Sequence, residues 1–178
     1  RIIIVGGGSL AKELISWMID SNEISFDQDN IFFIDDNLKN DFYISKLKIK
    51  YLSNINDCEP RNDDIFYLGI SNPEKKSEIV KGLLKKRAIF SKFIHPSVII
   101  SSTSKIGNGT LIFPYSICSY ESVIGDFVTI NLHSAIGHNV LVNSYSTISS
   151  FVDLTGNVVL GERVMVGSGA RFLPSVKI

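Results

Sequence analysis

The sequence predicts two folds in one chain: a small Rossmann-like parallel α/β sheet in residues 1–90, and an all-β left-handed parallel β-helix of hexapeptide repeats in residues 91–178. Two observations predict this division. Strand-like and helix-like segments alternate in the first part, whereas a six-residue period of apolar side chains fills the second. The period is still running at the last residue, and the first residue is not Met, so we expect the chain to be a piece of a longer one, cut at its C-terminus.

The β-helix is predicted by the identity of every sixth residue, since all fifteen of these positions are apolar. They are Ile94, Ile100, Ile106, Ile112, Cys118, Ile124, Ile130, Ile136, Val142, Ile148, Leu154, Leu160, Val166, Phe172 and Ile178. Neither an α-helix nor a hairpin meander uses a period of six. Three hexads of about 18 residues make one triangular coil. Glycine recurs one place after the aliphatic residue, as at Gly107, Gly125 and Gly137, where we expect it to supply a positive φ at a corner.

The first 90 residues alternate between strand and helix patterns. Strands are predicted at residues 2–5, 31–34 and 65–70. A first helix is expected to follow a Ser9 cap, and a second, basic helix begins at Pro73 and runs through Lys86. This alternation is typical of a small parallel sheet, with the junction to the β-helix near residues 89–93.

The turn after the first strand is rich in glycine. Because free N–H groups and the positive end of a helix dipole converge at such a turn, it is suited to phosphate. Two carboxylates follow the second strand, where sheets of this type contact ribose or base. The candidate substrate-binding residues are therefore Gly6, Gly7, Gly8, Ser9, Asp35 and Asp36. Leu10 and Ala11 break the full dinucleotide fingerprint, so a tight structural turn and a solvated acidic turn stay open as alternatives.

Composition excludes several classes of protein. Lys and Arg number 18 against 18 Asp and Glu, and the pI is about 7.0, so the electrostatic attraction that nucleic-acid binding needs is absent. We find neither a bilayer-spanning apolar run nor a signal peptide, and we expect a cytoplasmic protein without membrane attachment. Cys58 and Cys118 form no disulfide framework and no cysteine-built metal site, and we expect no metal.

Of the three histidines, His138 has the most informative surroundings. On an 18-residue coil its axial neighbours are Tyr120 and Gly156, about 4.8 Å away. An imidazole beside the exposed backbone of a glycine supplies what acyl transfer needs, namely a base and an N–H donor for the oxyanion. A surface histidine at a turn is the alternative. His95, in a His-Pro pair, is expected to shape the first turn of the β-helix.

The whole chain resembles the bacterial sugar O-acyltransferase group, which includes sialic-acid O-acetyltransferases and N-acetyltransferases of nucleotide-linked 4-amino sugars. The resemblance rests on the segments IIIVGGGSLAKEL, FFIDD, IHPSV and NLHSAIGHNVLVNSYSTISSFVDLTGNVVLGERVMVGSGA. It implies a homotrimer with acetyl-CoA as co-substrate in a cleft between neighbouring β-helices. It also implies that His138 is the catalytic base and that the Gly156 N–H binds the thioester carbonyl. The expected cofactor-binding residues are Gly156, Thr147, Gly167 and Ala170.

The sequence departs from the family pattern at three places. Asn139 stands where an acidic residue usually follows the catalytic histidine, Thr147 replaces a second histidine, and Leu10-Ala11 replaces a His-Gly pair. Glu121 lies 18 residues before Asn139, one coil away, and we hypothesise that it supplies the missing charge. Asn139 and Glu121 are therefore counted with His138 and Gly156 as candidate catalytic residues.

The favoured function is transfer of acetyl from acetyl-CoA to the amino group of a nucleotide-linked sugar in surface-glycan biosynthesis, directly and with His138 as general base. Two alternatives stay open, O-acetylation of sialic acid or a related sugar, and a non-catalytic trimeric binding or scaffold β-helix. A metal-dependent β-helix would need three converging histidines, which His95, His133 and His138 do not offer in one obvious place.

Overall fold

The structure is a computed structural model that describes residues 1–22, 30–37 and 49–178. The chain divides into two compact units. The first comprises Arg1–Ser71 and Lys75–Ser91, and the second comprises Asn72–Glu74 and Lys92–Ile178.

The first unit contains a five-stranded parallel sheet in the order β3-β2-β1-β4-β5. Its strands are β1 (Ile2–Val5), β2 (Ile31–Ile34), β3 (Lys50–Ser53), β4 (Ile65–Leu68) and β5 (Ile89–Phe90). Its helices are α1 (Ser9–Asp20) and all but the first two residues of α2 (Pro73–Lys85). Central strand β1 is almost wholly buried, as its run of aliphatic residues predicts. Among the described residues, no helix is both long and apolar enough to cross a bilayer.

Helix α1 packs one apolar side, with Leu10, Leu14 and Met18 all buried. The predicted Ser9 cap is wrong, because Ser9 is already helical and the N-cap is Gly8, which has no side chain to offer. The helix lies close to the sheet at Gly69, where an added Cβ would come within 2.6 Å of the Ala11 Cβ. Glycine is therefore required there by contact between backbone and helix.

Three strands of this sheet differ from the sequence prediction, because β3 and β5 were not predicted and β4 is shorter than predicted. Strand β3 has only one aliphatic residue among Lys50–Ser53 and is half exposed, so its pattern carried little strand signal. Strand β4 ends at Leu68 rather than at residue 70, and the next residue, Gly69, lies against Ala11 of α1.

The second unit is a parallel β-helix of two-residue strands on three faces. The first face holds β6 (Phe93–Ile94), β9 (Leu111–Ile112), β12 (Thr129–Ile130), β15 (Thr147–Ile148) and β18 (Met165–Val166). The second holds β7 (Ile99–Ile100), β10 (Ile117–Cys118), β13 (Ala135–Ile136), β16 (Asp153–Leu154) and β19 (Arg171–Phe172). The third holds β8 (Lys105–Ile106), β11 (Val123–Ile124), β14 (Leu141–Val142) and β17 (Val159–Leu160). Each strand ends on a residue of the predicted apolar repeat, and these residues form the core. The β-helix prediction is confirmed.

Buried hydroxyl groups connect the coils of the β-helix. The Ser116 hydroxyl donates to the Asn131 carbonyl at 2.8 Å and accepts the Ser134 N–H of the next coil at 3.3 Å. Thr110 and Ser146 repeat the arrangement elsewhere in the coils. Buried polar groups need such partners, so these Ser and Thr side chains, each four places after an aliphatic residue of the repeat, serve as hydrogen-bonding links between coils.

The recurring glycines do not supply positive φ values, and that prediction is wrong. The positive φ falls two residues later in the hexad, at residues such as Glu121 (52°) and Asn139 (58°). A Cβ on Gly107 would lie 2.4 Å from the carbonyl carbon of Gly125, and one on Gly137 would lie 2.7 Å from the Leu154 oxygen. At these positions glycine is needed because adjacent coils approach too closely for a side chain.

Candidate active site

His138 is an exposed residue at the corner that follows β13. The strand register aligns Ile117 with Ala135 on one side and Ile136 with Leu154 on the other. This register places Tyr120 and Gly156 one coil to either side of His138, as the 18-residue period predicts.

Gly156 is buried directly against the imidazole of His138. A Cβ added at Gly156 would lie 2.3 Å from Nε2 and 2.4 Å from Cε1 of the ring. The Gly156 carbonyl accepts the Ser175 N–H at 3.0 Å, whereas within the described residues its own N–H donates no hydrogen bond. A base and an N–H donor therefore lie side by side, an arrangement that can deprotonate a nucleophile and stabilise an oxyanion.

The other ring nitrogen of His138 is held by a polar chain. Nδ1 lies 3.0 Å from the Asn139 side-chain oxygen, and the Asn139 amide nitrogen donates to Glu121 Oε2 at 2.9 Å. Tyr120 also belongs to this cluster, since a side-chain hydrogen bond to Glu121 and the charge of that carboxylate raise the pKa of the Tyr120 phenol. The sequence identified Tyr120 only as an axial neighbour, and the tyrosine beside an acidic residue was the signal for its contact.

The remaining residues expected to bind the co-substrate are distributed around the β-helix. Thr147 is buried in β15, on the first face, and its N–H donates to the Val164 carbonyl at 2.9 Å. Gly167 is exposed after β18, and the Ala170 N–H donates to its carbonyl at 3.3 Å. Of these residues and Gly156, it is Gly156 that contacts His138 within this chain.

In the first unit, the glycine turn contacts one of the two aspartates, Asp35. The Gly7 N–H donates to Asp35 Oδ2, and the Asn37 N–H donates to Asp35 Oδ1 at 2.7 Å. Asp36 accepts the Ile55 N–H at 2.7 Å. Both carboxylates therefore hold loops in place. Gly8 and Ser9 stay exposed at a helix N-terminus that has no side-chain cap, which is where an anion could bind.

The other two histidines have structural surroundings. His95 is buried, and its Nδ1 lies 2.8 Å from the Ser97 hydroxyl within the first turn. His133 is stacked between Tyr115 and Phe151, with ring centroids 5.0 and 5.1 Å apart. Among residues 1–22, 30–37 and 49–178, no group of three or more His, Cys, Asp or Glu side chains could hold a metal ion.

Sequence comparisons find partial matches to sugar acyltransferases. The chain is 26% identical over 105 residues to GDP-perosamine N-acetyltransferase from Escherichia coli O157:H7, covering 59% of this chain and 48% of that protein. It is 32% identical over 75 residues to UDP-3-O-acylglucosamine N-acyltransferase from Bordetella avium, covering 42% of this chain and 20% of that protein. The chain thus spans about half or less of these relatives, and no family model matches it.

Structural comparisons match nearly the whole chain. The acetyltransferase domain of PglB from Neisseria gonorrhoeae has a TM-score of 0.86 at 18% identity, covering 99% of this chain and 83% of that one. A variant of perosamine N-acetyltransferase from Caulobacter crescentus, in complex with CoA and GDP-perosamine, has a TM-score of 0.86 at 19% identity, covering 99% and 81%. Sequence and fold together confirm the predicted resemblance to the hexapeptide-repeat sugar acyltransferases.

Proposed function

We propose that this chain carries an acetyl-CoA-dependent acetyltransferase that acts on the amino group of a nucleotide-linked sugar in surface-glycan biosynthesis. One observation supports it above the others: His138 Nε2 lies against Gly156, and the opposite ring nitrogen is held by Asn139. The relatives named as N-acetyltransferases of GDP-perosamine agree with an amino sugar as acceptor.

The transfer is direct. The acceptor amine attacks the thioester carbonyl carbon, and His138 Nε2 takes the proton that the amine loses. The Gly156 N–H donates to the oxygen on which negative charge develops. When the carbon–sulfur bond breaks, the CoA thiolate leaves and takes up the proton, and the product is an amide. Glu121 and Asn139 act on His138 rather than on the substrate.

No acyl-enzyme takes part. Cys118 is 1% exposed in the β-helix core, and burial raises the pKa of its thiol to about 12. Burial also raises the pKa of the Cys58 thiol. A thiol that stays protonated is a poor nucleophile, so neither cysteine is suited to carry the acetyl group.

The first unit binds the acceptor in this proposal. Residues 1–90 form a Rossmann-like domain that holds the nucleotide and sugar at the glycine turn, and Asp35 and Asp36 fix the loops around it. The turn residues that contact the acceptor in this proposal are the exposed Gly8 and Ser9, since Gly6 is buried and the Gly6 and Gly7 N–H groups donate to the Ile34 carbonyl and to Asp35.

The second unit carries the transferase site. Residues 91–178 form the left-handed β-helix, in which Thr147, Gly167 and Ala170 lie away from His138 within one chain. A cleft between subunits, as the family resemblance implies, would let one CoA molecule contact both sets of residues. We infer a homotrimer with sites between subunits, and we propose that it is cytoplasmic.

The function is tested by thiol release from acetyl-CoA against a panel of GDP-, UDP- and dTDP-linked amino sugars and free sialic acid. Turnover with one nucleotide amino sugar, with mass spectrometry showing an added acetyl group on nitrogen, is the expected result. Turnover with sialic acid alone would favour O-acetylation. CoA binding without turnover across the panel would favour a scaffold β-helix.

A further inference from the structure

The hydrogen-bonding chain beside His138 has a fixed direction. A carboxylate only accepts hydrogen bonds, so the Asn139 group that faces Glu121 must be its NH₂, at 2.9 Å. The Asn139 oxygen then faces His138 Nδ1 at 3.0 Å. An amide oxygen only accepts, so Nδ1 must carry the proton. The neutral ring therefore has its lone pair on Nε2, beside Gly156.

Backbone hydrogen bonds fix the positions of Glu121 and Asn139, the two residues that hold His138 through this hydrogen-bonded series. Glu121 and Asn139 occupy equivalent corners of consecutive coils, with φ values of 52° and 58°. The Glu121 N–H donates to the Thr103 hydroxyl at 3.0 Å, and the Asn139 N–H donates to the Tyr120 carbonyl at 2.9 Å. The two side chains thus meet because coils are in register, although they lie 18 residues apart.

We propose that Glu121 and Asn139 are positioning residues, which together do for His138 what an acidic residue next to the base would do. This inference rests on the proposed function. Asn139 fixes the Nδ1–H tautomer of His138. Glu121 orients the amide, and its negative charge stabilises the imidazolium that forms when His138 takes the proton. The titratable groups in this cluster are Glu121 and Tyr120, and the coil on the other side contributes Gly156 and Asn157, which carry no charge.

The first test is independent of catalysis. Two-bond ¹H–¹⁵N spectra of the whole protein report the tautomer of each histidine, and comparison with His138→Ala assigns the signals. We expect the Nδ1–H form for His138 in the wild-type protein. In Glu121→Gln the side chain at position 121 can donate or accept, so Asn139 can flip, and we expect a mixture of tautomers. An Nε2–H form in the wild-type protein overturns the proposal.

The second test separates charge from shape. Glu121→Gln is expected to lower kcat about tenfold with KM unchanged, because Asn139 and the imidazole lose the carboxylate that orients them. Adding Asn139→Asp to this variant places a carboxylate directly on Nδ1, with the new amide at position 121 as its donor. We expect this double variant to recover activity to within a few-fold of the wild type. Glu162→Gln, an exposed change outside the cluster, is the matched control and should have no effect.

The outcomes distinguish this inference from the proposed function. If the wild-type enzyme turns over and His138→Ala does not, while Glu121→Gln matches the wild type in rate and tautomer, the positioning role is wrong and the transferase stands. If His138→Ala turns over normally, His138 is not the base and the proposed mechanism is wrong. If the wild-type enzyme turns over no acceptor of the panel, the proposed function itself is wrong. The spectra then still decide whether Asn139 and Glu121 set the tautomer.

Discussion

Two exposed corners of the β-helix each carry a histidine, and they differ in what lies one coil away. His133 has Tyr115 on one side and Phe151 on the other, and the three rings are stacked. His138, five residues later, has the small, buried Gly156 as its neighbour. The first histidine is a packing element and the second has a nitrogen beside an N–H donor. The role of a corner residue in this fold is therefore determined by the residues 18 positions away, on the neighbouring coils.

The most demanding test of the difference between the two corners is to remove each imidazole in turn. His138→Ala should reduce turnover by about 10²–10⁴, the usual loss when a general base is removed. His133→Asn keeps a residue that tolerates positive φ, and it should leave turnover within about twofold. Steady-state thiol release measures both. Equal losses in the two variants would contradict the distinction between the corners.

The glycine beside His138 provides the next largest effect. Gly156→Ala should reduce kcat/KM by about 10²-fold, because the new methyl group would occupy the place of the imidazole and displace the base. Gly82→Ala in α2 is the matched control, since nothing lies within 4 Å of its added Cβ. That change should keep activity and stabilise the helix slightly. Wild-type kinetics in Gly156→Ala would show that the contact has no functional importance.

The aromatic corner should affect stability and leave catalysis unchanged. Phe151→Asn removes one side of the His133 stack while keeping a residue suited to a φ of 59°. We expect the free energy of unfolding to fall by about 0.5–1.5 kcal/mol, the usual contribution of an aromatic pair. Urea denaturation measures this change. A large drop in kcat with unchanged stability would mean that the aromatic corner takes part in the reaction.

The smallest expected effect concerns Cys118. Because burial raises the pKa of its thiol to about 12, only a small fraction is thiolate at neutral pH. Iodoacetamide should leave Cys118 unmodified in the native protein and alkylate it after unfolding, as peptide mass spectrometry would show. An acetylated Cys118 after incubation with acetyl-CoA would replace the direct mechanism with an acyl-enzyme.

The features that could be predicted from the sequence are those that depend on the period alone. The apolar repeat located every strand of the β-helix, and the 18-residue coil placed Gly156 beside His138 and Glu121 beside Asn139. Backbone register determines these neighbours, and it does not depend on rotamers.

Features that depend on local packing could not be read from the sequence. Gly107, Gly125 and Gly137 allow close contact between coils, and recognising this requires knowledge of how closely two backbones approach. The Gly7 and Asn37 N–H groups donate to the Asp35 carboxylate, and these hydrogen bonds depend on the path of the loop. The Ser9 cap failed because the helix begins one residue earlier than a side-chain cap would require.

The register that builds the candidate site also limits how this fold can be recombined. Tyr120, His138 and Gly156 belong to three successive coils, so no single coil contains the site. A crossover between related β-helices that falls between residues 121 and 156 would join a base from one parent to an acid or a glycine from the other. Crossovers before Tyr120 or after Asn157 would move the whole set together. The segment that must be exchanged as a whole to keep this site is therefore about 40 residues long, which is longer than any contiguous motif within it.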